Sequence, residues 1–469
     1  MPLPVPRVVR PAPGGRYEVT QRPARVEIVP GTTTEIWGYD GTFPGPTFET
    51  GRGQGFTLRV RNELPVPTST HLHGGVTPAS SDGYPTDLVV PSGLHFHPAT
   101  GAHAHHGAMT VAPSQWTLHP GVRDYTYPLD QRAATLWYHD HRMDFTGPQV
   151  WRGLAGLLLV RDGEEERLPL PHGERDVPLL ICDRAFEEDG AFRYPSADPT
   201  LLGAPGVTDA YMEGVEGDVV LVNGAPWPEL EVSATRYRLR LVNASNARRY
   251  RLRLAPGGPL VQIGSDAGLL GRPREHSSIT ISPAERFDVI VDFSAYPVGS
   301  TVTLENALGD GATRAVMRFR IARKARDDSA IPARLARAEP LTRPAGMVTR
   351  TFDFRRTDAD GAAAWTINGA PFRPGVPLAE PRLGGVEMWR FVSDFHHPVH
   401  LHLAHFQVVA RNGRPPAATD AGWKDTVDVR PYEVVDVLAR FTGHRGRYMM
   451  HCHNLEHEDM AMMADFEVV

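Results

Sequence analysis

A chain of 469 residues exceeds the size at which a single hydrophobic core stops growing, so two or three domains are expected. A formal charge of -6, with arginines scattered singly, excludes a nucleic-acid footprint. Met1 to Tyr17 holds no apolar run that could form the core of a signal sequence, and no later stretch reaches membrane-spanning length, so the chain reads as soluble with the cytoplasm favoured.

The 45 Gly and 43 Pro residues break the chain into short alternating runs such as Gly55–Val60, Arg236–Val242, Arg286–Phe293 and Val434–Phe441. No long helical periodicity occurs, and the spacing predicts an all-β chain of sandwiches. Polar breaks at Arg161–Asp176 and Ala322–Pro344 divide it into pieces 1–165, 176–323 and 345–469. In the apolar run ending at Cys182, that thiol reads as buried and structural. Val222-Asn223-Gly224-Ala225-Pro226 recurs as Ile367-Asn368-Gly369-Ala370-Pro371, which suggests duplicated sandwich domains.

Taken in chain order, the histidines form a pattern. Random placement of 21 His predicts about one His-x-His pair. Six occur: His71/His73, His95/His97, His103/His105, His139/His141, His400/His402 and His451/His453. The pairs at 95 and 103 lie in the Gly- and His-rich segment Ser92–Met109, read as a solvated loop, with an auxiliary copper site as the rival reading. The other four sit in strand-like contexts. Residues two apart on a strand share a face, so four pairs deliver eight imidazoles.

Cys452, between His451 and His453, must face the opposite side of its strand. His397, an odd number of residues from His400 and His402, can face that side too and join Cys452. The segment His451 to Met462 adds a second imidazole and a thioether, and two His, one Cys and a weak axial Met are the ligands of an electron-transfer blue copper site. Met460, Met462 and Met463 all lie close enough to supply the thioether. One short segment thus serves a single electron-accepting copper and a many-histidine cluster suited to dioxygen.

At these residues the chain resembles the three-domain multicopper oxidases, most closely the bacterial spore-coat laccase and bilirubin oxidase branch. The motifs are HLHGG at His71–Gly75, WYHDH at Trp137–His141, the clusters at His397–His402 and His451–Met462, and in the middle YRLRLVNASNARRY (Tyr237–Tyr250), QIGSDAGLL (Gln262–Leu270) and SPAERFDVIVDF (Ser282–Phe293). The resemblance implies three consecutive cupredoxin-like Greek-key sandwiches, the middle one without copper ligands. It implies four copper ions: a type 1 copper on His397, Cys452, His457 and Met462, a type 2 copper on His71 and His400, and a type 3 pair on His73, His139, His141, His402, His451 and His453. It nominates Asp82 and Glu458 as acids that donate or relay protons, and Cys452 as the electron conduit. The implied activity is laccase-type: one-electron oxidation of phenols or aromatic amines coupled to reduction of dioxygen to water, with no nucleic-acid or membrane partner. An o-aminophenol oxidase and a cuprous-ion oxidase are the alternatives. A copper-dependent scaffold without activity is disfavoured because every trinuclear position is filled.

Overall fold

The same strand pairing recurs three times along the chain. Arg16–Val26 pairs antiparallel with Thr34–Tyr39 and parallel with Phe56–Asn62, which pairs antiparallel with Val122–Tyr127. Asp176–Arg184 repeats this with Val219–Val222, Arg236–Asn243 and Arg286–Asp292. Thr349–Ala359 repeats it with Ala362–Ile367, Val386–Ser393 and Val434–Arg440. The structure, a computed structural model, describes residues 1–96, 111–359 and 362–469.

Each of these sheets faces a second one, also built alike. Thr47–Gly51 runs parallel to Ala155–Arg161, followed by antiparallel Ala134–Asp140 and Thr70–His73. In the middle sandwich the order is Glu229–Ser233, Ala315–Arg323, Thr301–Asn306 and Tyr250–Ala255. In the third it is Pro377–Ala379, Met463–Val468, Gly446–Cys452 and His397–Leu401. The strand of His71 and His73 therefore corresponds to that of His397 and His400, and the strand of His139 to that of His451 and Cys452. The equivalent middle strands, Tyr250–Ala255 and Thr301–Asn306, hold no histidine.

Alternation drives the layering: Phe56–Asn62 alternates fully and partly buried side chains along its length. Each sandwich has its own apolar core, containing Leu58 and Leu158 in the first, Leu239 and Leu304 in the middle, and Phe391 and Phe466 in the third. The repeated Asn-Gly turns are equivalent in detail. Asn223 and Gly224 have φ of 50° and 84°, Asn368 and Gly369 have 55° and 75°, a left-handed pair that Asn and Gly tolerate best. The side-chain oxygen of Asn223 accepts from the Leu180 amide at 2.9 Å, and that of Asn368 from the Asp353 amide at 2.8 Å.

Cys182 is unpaired and lies in an apolar cluster that joins the first and middle sandwiches, where burial pushes its thiol up to about 11. Among the described residues no helix is long and apolar enough to cross a membrane.

Candidate metal centres

Strand pairing brings the histidines together before any ligand is considered. His71 lies opposite His139, and His400 opposite His451. The first and third sandwiches then meet face to face, so that His71 stacks on His402 at 3.8 Å between ring centroids and His73 on His400 at 3.6 Å. His453 closes the group, 5.0 Å from His73 and 5.2 Å from His139. All eight rings are at most 1% exposed. Three sets of ring nitrogens could each hold one ion: His71, His400 and His402; His71, His73 and His139; His141, His402 and His451.

The outer nitrogens of most rings are tethered. Nδ1 of His71 donates to the Asp82 carbonyl at 2.5 Å, of His139 to the Asp140 carbonyl at 2.8 Å, and of His400 to the Asp425 carbonyl at 2.9 Å. Nδ1 of His402 meets the Asp82 carboxyl at 2.7 Å, and Nδ1 of His451 meets the Cys452 carbonyl and Glu458, both at 3.1 Å. His73 is turned the other way, with Nε2 held by the Asp425 carboxylate at 3.0 Å and Thr426 Oγ1 at 3.1 Å. A carbonyl can only accept, so a nitrogen facing one carries the proton and the opposite nitrogen of a neutral ring is a lone pair. Those opposite atoms, Nε2 of His71, His139 and His400 and Nδ1 of His73, are buried without a protein partner. Burial, first of all, and the neighbouring rings push the pKa of His71, His400 and His402 well below the usual histidine value, which keeps them neutral.

Cys452 points to the other face, into the apolar core of the third sandwich. Its Sγ lies 3.4 Å from His397 Nδ1 and 3.6 Å from His457 Nδ1, and these two nitrogens are 3.1 Å apart. Asn454 caps the following helix, Leu455–Asp459, by accepting from the Glu456 amide, and that helix carries His457 back toward the sulfur. The Asn454 amide donates to Sγ at 3.4 Å.

Of the three methionines, Met463 packs elsewhere, whereas Met460 and Met462 both lie in the apolar cluster of Cys452 and differ in their backbone bonds. Met462 is fully buried, shares the apolar cluster of Cys452, accepts from the Cys452 amide at 3.1 Å and donates to the His457 carbonyl at 2.9 Å. Met463 belongs to another cluster with Tyr84 and Met449. Met460 packs its side chain against Gly206, where an added Cβ would meet its Cγ at 3.3 Å.

Asp82 and Glu458 flank the histidine cluster in opposite electrostatic states. Burial pushes the Asp82 carboxyl up to about 8. Glu458 is also buried, but His141 and His451 beside it hold its pKa well below the usual carboxylate range. It accepts from Thr146 Oγ1 at 2.6 Å and stands 3.7 Å from His141. Two carboxyls whose environments drive their pKa values apart suit one proton reservoir and one charged relay.

Comparison with known proteins agrees with this architecture. Two sequence profiles, both described as multicopper oxidase, match residues 342–469 and residues 20–110 with 94–165. A laccase of Bacillus stratosphericus is 35% identical over 100% of this chain and 98% of its own length. A bilirubin oxidase of Albifimbria verrucaria is 34% identical over 99% of this chain and 80% of its own. The chain belongs to the multicopper oxidases. A crystal structure of a laccase from Pediococcus acidilactici superposes with a TM-score of 0.85 at 30% identity, covering 100% of this chain and 94% of the other. This multicopper oxidase is of the laccase-like kind, a copper oxidoreductase with oxygen as acceptor, and its sandwiches are cupredoxin-like.

The donor set fits copper. Nε2 of His451 lies 3.1 Å from Nε2 of His402 and 3.3 Å from Nε2 of His141, although the Nδ1 atoms of His402 and His451 already face hydrogen-bond acceptors. Converging lone pairs repel unless a cation stands among them. Neutral imidazoles suit Cu, Zn and Fe alike, but the His, His, Cys set with an adjacent buried Met is that of blue copper. Burial keeps the Cys452 thiol protonated in the absence of a cation, because it pushes its pKa well above the usual value.

Several functional residues carry no sequence signal. Asp425 holds His73 through its carboxylate and His400 through its carbonyl. Trp365 stacks on His457 at 3.7 Å, whereas Trp137, 4.3 Å from the His139 ring, does carry a signal as the first residue of WYHDH. Arg286 sits inside the SPAERFDVIVDF motif, which marks a strand and says nothing of its partner, Asp425. Of the segment Ser92–Met109, His95 is exposed, and residues 97–109 lie outside the described residues.

Proposed function

We propose that the enzyme holds four copper ions and couples one-electron oxidation of phenols or aromatic amines to reduction of dioxygen to water. The type 1 copper would be held by His397, Cys452, His457 and Met462, the type 2 copper by His71 and His400, and the type 3 pair by His73, His139, His141, His402, His451 and His453. Copper bound at these positions supplies one-electron acceptance at Cys452 and oxygen reduction at the histidine cluster. The observation that carries this reading is the strand ending at Cys452: its sulfur faces His397 and His457, while His451 and His453 face the cluster.

The protein's own groups then have defined tasks. Bonds through the Cys452 backbone join the sulfur to both neighbouring imidazoles, so electrons need no jump through space. Asp82, protonated near neutral pH, supplies protons, and Glu458, charged, accepts them from the Thr146 side and fixes His451. On the donor side His457 is fully buried beneath Trp365, with Arg356 above the indole at 5.9 Å and Phe395 at 6.1 Å. Trp365 is itself buried, so an aromatic donor packed on the half-buried Phe395 would lie one ring away from the imidazole that receives its electron. The methionines cluster near the copper-ligand segment and form no separate Met-rich insert in the sequence of the kind that would serve cuprous ion.

The test is a metal count with a visible spectrum. Four coppers per chain and an intense absorption from the Cys452–copper bond are expected. Fewer than three coppers in fully loaded protein would reject the reading. A panel of phenols, aminophenols, bilirubin and cuprous ion, ranked by kcat/KM, separates the donor classes.

A further inference from the structure

A groove of about 1180 Å³ runs between the middle and third sandwiches, along the strand Gly268–His276, the connector at 333–340 and the loop at 415–423. None of its lining residues belongs to the centres described above. Arg132, Arg272, Arg274, Arg334 and Arg337 line it, and among the described residues none of these five guanidinium groups has a carboxylate partner.

The acids at the groove are engaged elsewhere. Asp420 takes a forked pair from Arg411 at 2.7 and 2.8 Å, and Glu339 stands 4.0 Å from Arg440. In a protein of net charge -6, five uncompensated like charges in one concavity make a local field of the opposite sign, which draws anions and repels cations. Guanidinium forks match carboxylate, sulfonate and phosphate oxygens in pairs.

The floor has a different character. Leu269, Leu270 and Ala336 belong to a buried apolar cluster and surface at the base of the groove. Trp423 forms one wall and stacks under the Arg440 guanidinium at 4.4 Å. A bare inorganic anion would answer the arginines and leave this floor wetted. The groove has room for a small organic molecule, being somewhat larger than the roughly 300–1,000 Å³ of pockets that enclose such compounds.

We propose that the groove is a binding site for an organic anion: a flat, mainly apolar body carrying two or more sulfonate, carboxylate or phosphate groups. The apolar body covers Leu269, Leu270 and Trp423, and the charged groups pair with the rim arginines. The site is distinct from the donor side at Phe395 and needs no copper.

Calorimetric titration of the copper-loaded enzyme with a redox-inert naphthalene disulfonate tests this, beside the variant Arg272→Glu, Arg334→Glu, Arg337→Glu. These side chains are exposed, so the variant folds, and its copper content and blue absorption confirm that in the same sample. Saturable one-to-one binding by the parent is expected, weakened by about tenfold or more in the variant and weakened by added salt. Inorganic pyrophosphate should bind the parent about tenfold or more weakly than the disulfonate, since it cannot cover the floor. Equal affinity in parent and variant, or no saturable binding by the parent, overturns the proposal. Pyrophosphate binding as tightly as the disulfonate would also overturn it, by removing the apolar half of the ligand.

Discussion

Arg286 and Asp425 form a forked, buried ion pair, Nη1 to Oδ1 at 2.6 Å and Nη2 to Oδ2 at 2.5 Å. The same guanidinium donates to the carbonyls of Thr135, Ala284 and Asp266 at 3.0, 3.1 and 3.0 Å. Thr135 belongs to the first sandwich, Ala284 and Asp266 to the middle one and Asp425 to the third, so one side chain of the ligand-free middle sandwich joins all three behind His73. Burial opposes charge on Asp425, but Arg286 outweighs it and holds the carboxylate ionised.

Removing one partner of a buried pair leaves the other charge uncompensated. Arg286→Met is therefore expected to lower the stability of the metal-free protein by about 3–5 kcal/mol in urea unfolding. Where the variant still folds, Asp425 loses the partner that orients it and holds His73 and His400 less firmly, so copper per chain should fall while the Cys452 absorption persists. Parent stability together with full copper loading would refute the role.

Glu458→Gln keeps the shape and the acceptor oxygen but cannot carry a proton. Oxygen consumption at saturating donor is expected to fall by about a hundredfold, with copper content and the blue absorption unchanged. A loss of copper in place of slowed turnover would mean that Glu458 only positions His451.

Cys452→Ser removes the thiolate and leaves all eight cluster histidines in place. Blue colour and phenol turnover should vanish while the cluster still takes up copper, measured by metal analysis. Turnover at the parent rate would disprove the electron route through this residue.

Asp465 supplies a pH test away from the clusters. Its carboxyl accepts from Tyr84 Oη at 2.9 Å and from the Gly375 amide at 2.6 Å, and burial pushes its pKa up to about 6 from an ordinary 3.8. The folded state thus binds this proton more tightly than the unfolded chain. Its contribution to stability is complete below about 4 and is lost as pH rises through about 6. Asp465→Asn should therefore show a smaller loss of stability than the parent between pH 4.5 and pH 7, in urea midpoints. Parallel curves for parent and variant would contradict the shift.

Much of this enzyme could be read from residue order alone, because the controlling physics is local. Strand periodicity of two set which histidines share a face and why Cys452 must oppose His451 and His453. The Asn223-Gly224 and Asn368-Gly369 turns disclosed the repeat, since a left-handed pair of residues demands Asn and Gly wherever it occurs. The choice among Met460, Met462 and Met463 was not local: Met463 packs in another cluster, and of the two that share the cluster of Cys452 it is Met462 whose backbone bonds to both Cys452 and His457. Asp425, Arg286 and Trp365 were equally hidden, because their partners lie far away in the chain and no spacing rule connects them. The face-to-face seating of the first and third sandwiches, which stacks His71 on His402 and His73 on His400, depends on packing between surfaces and only the tertiary structure decided it.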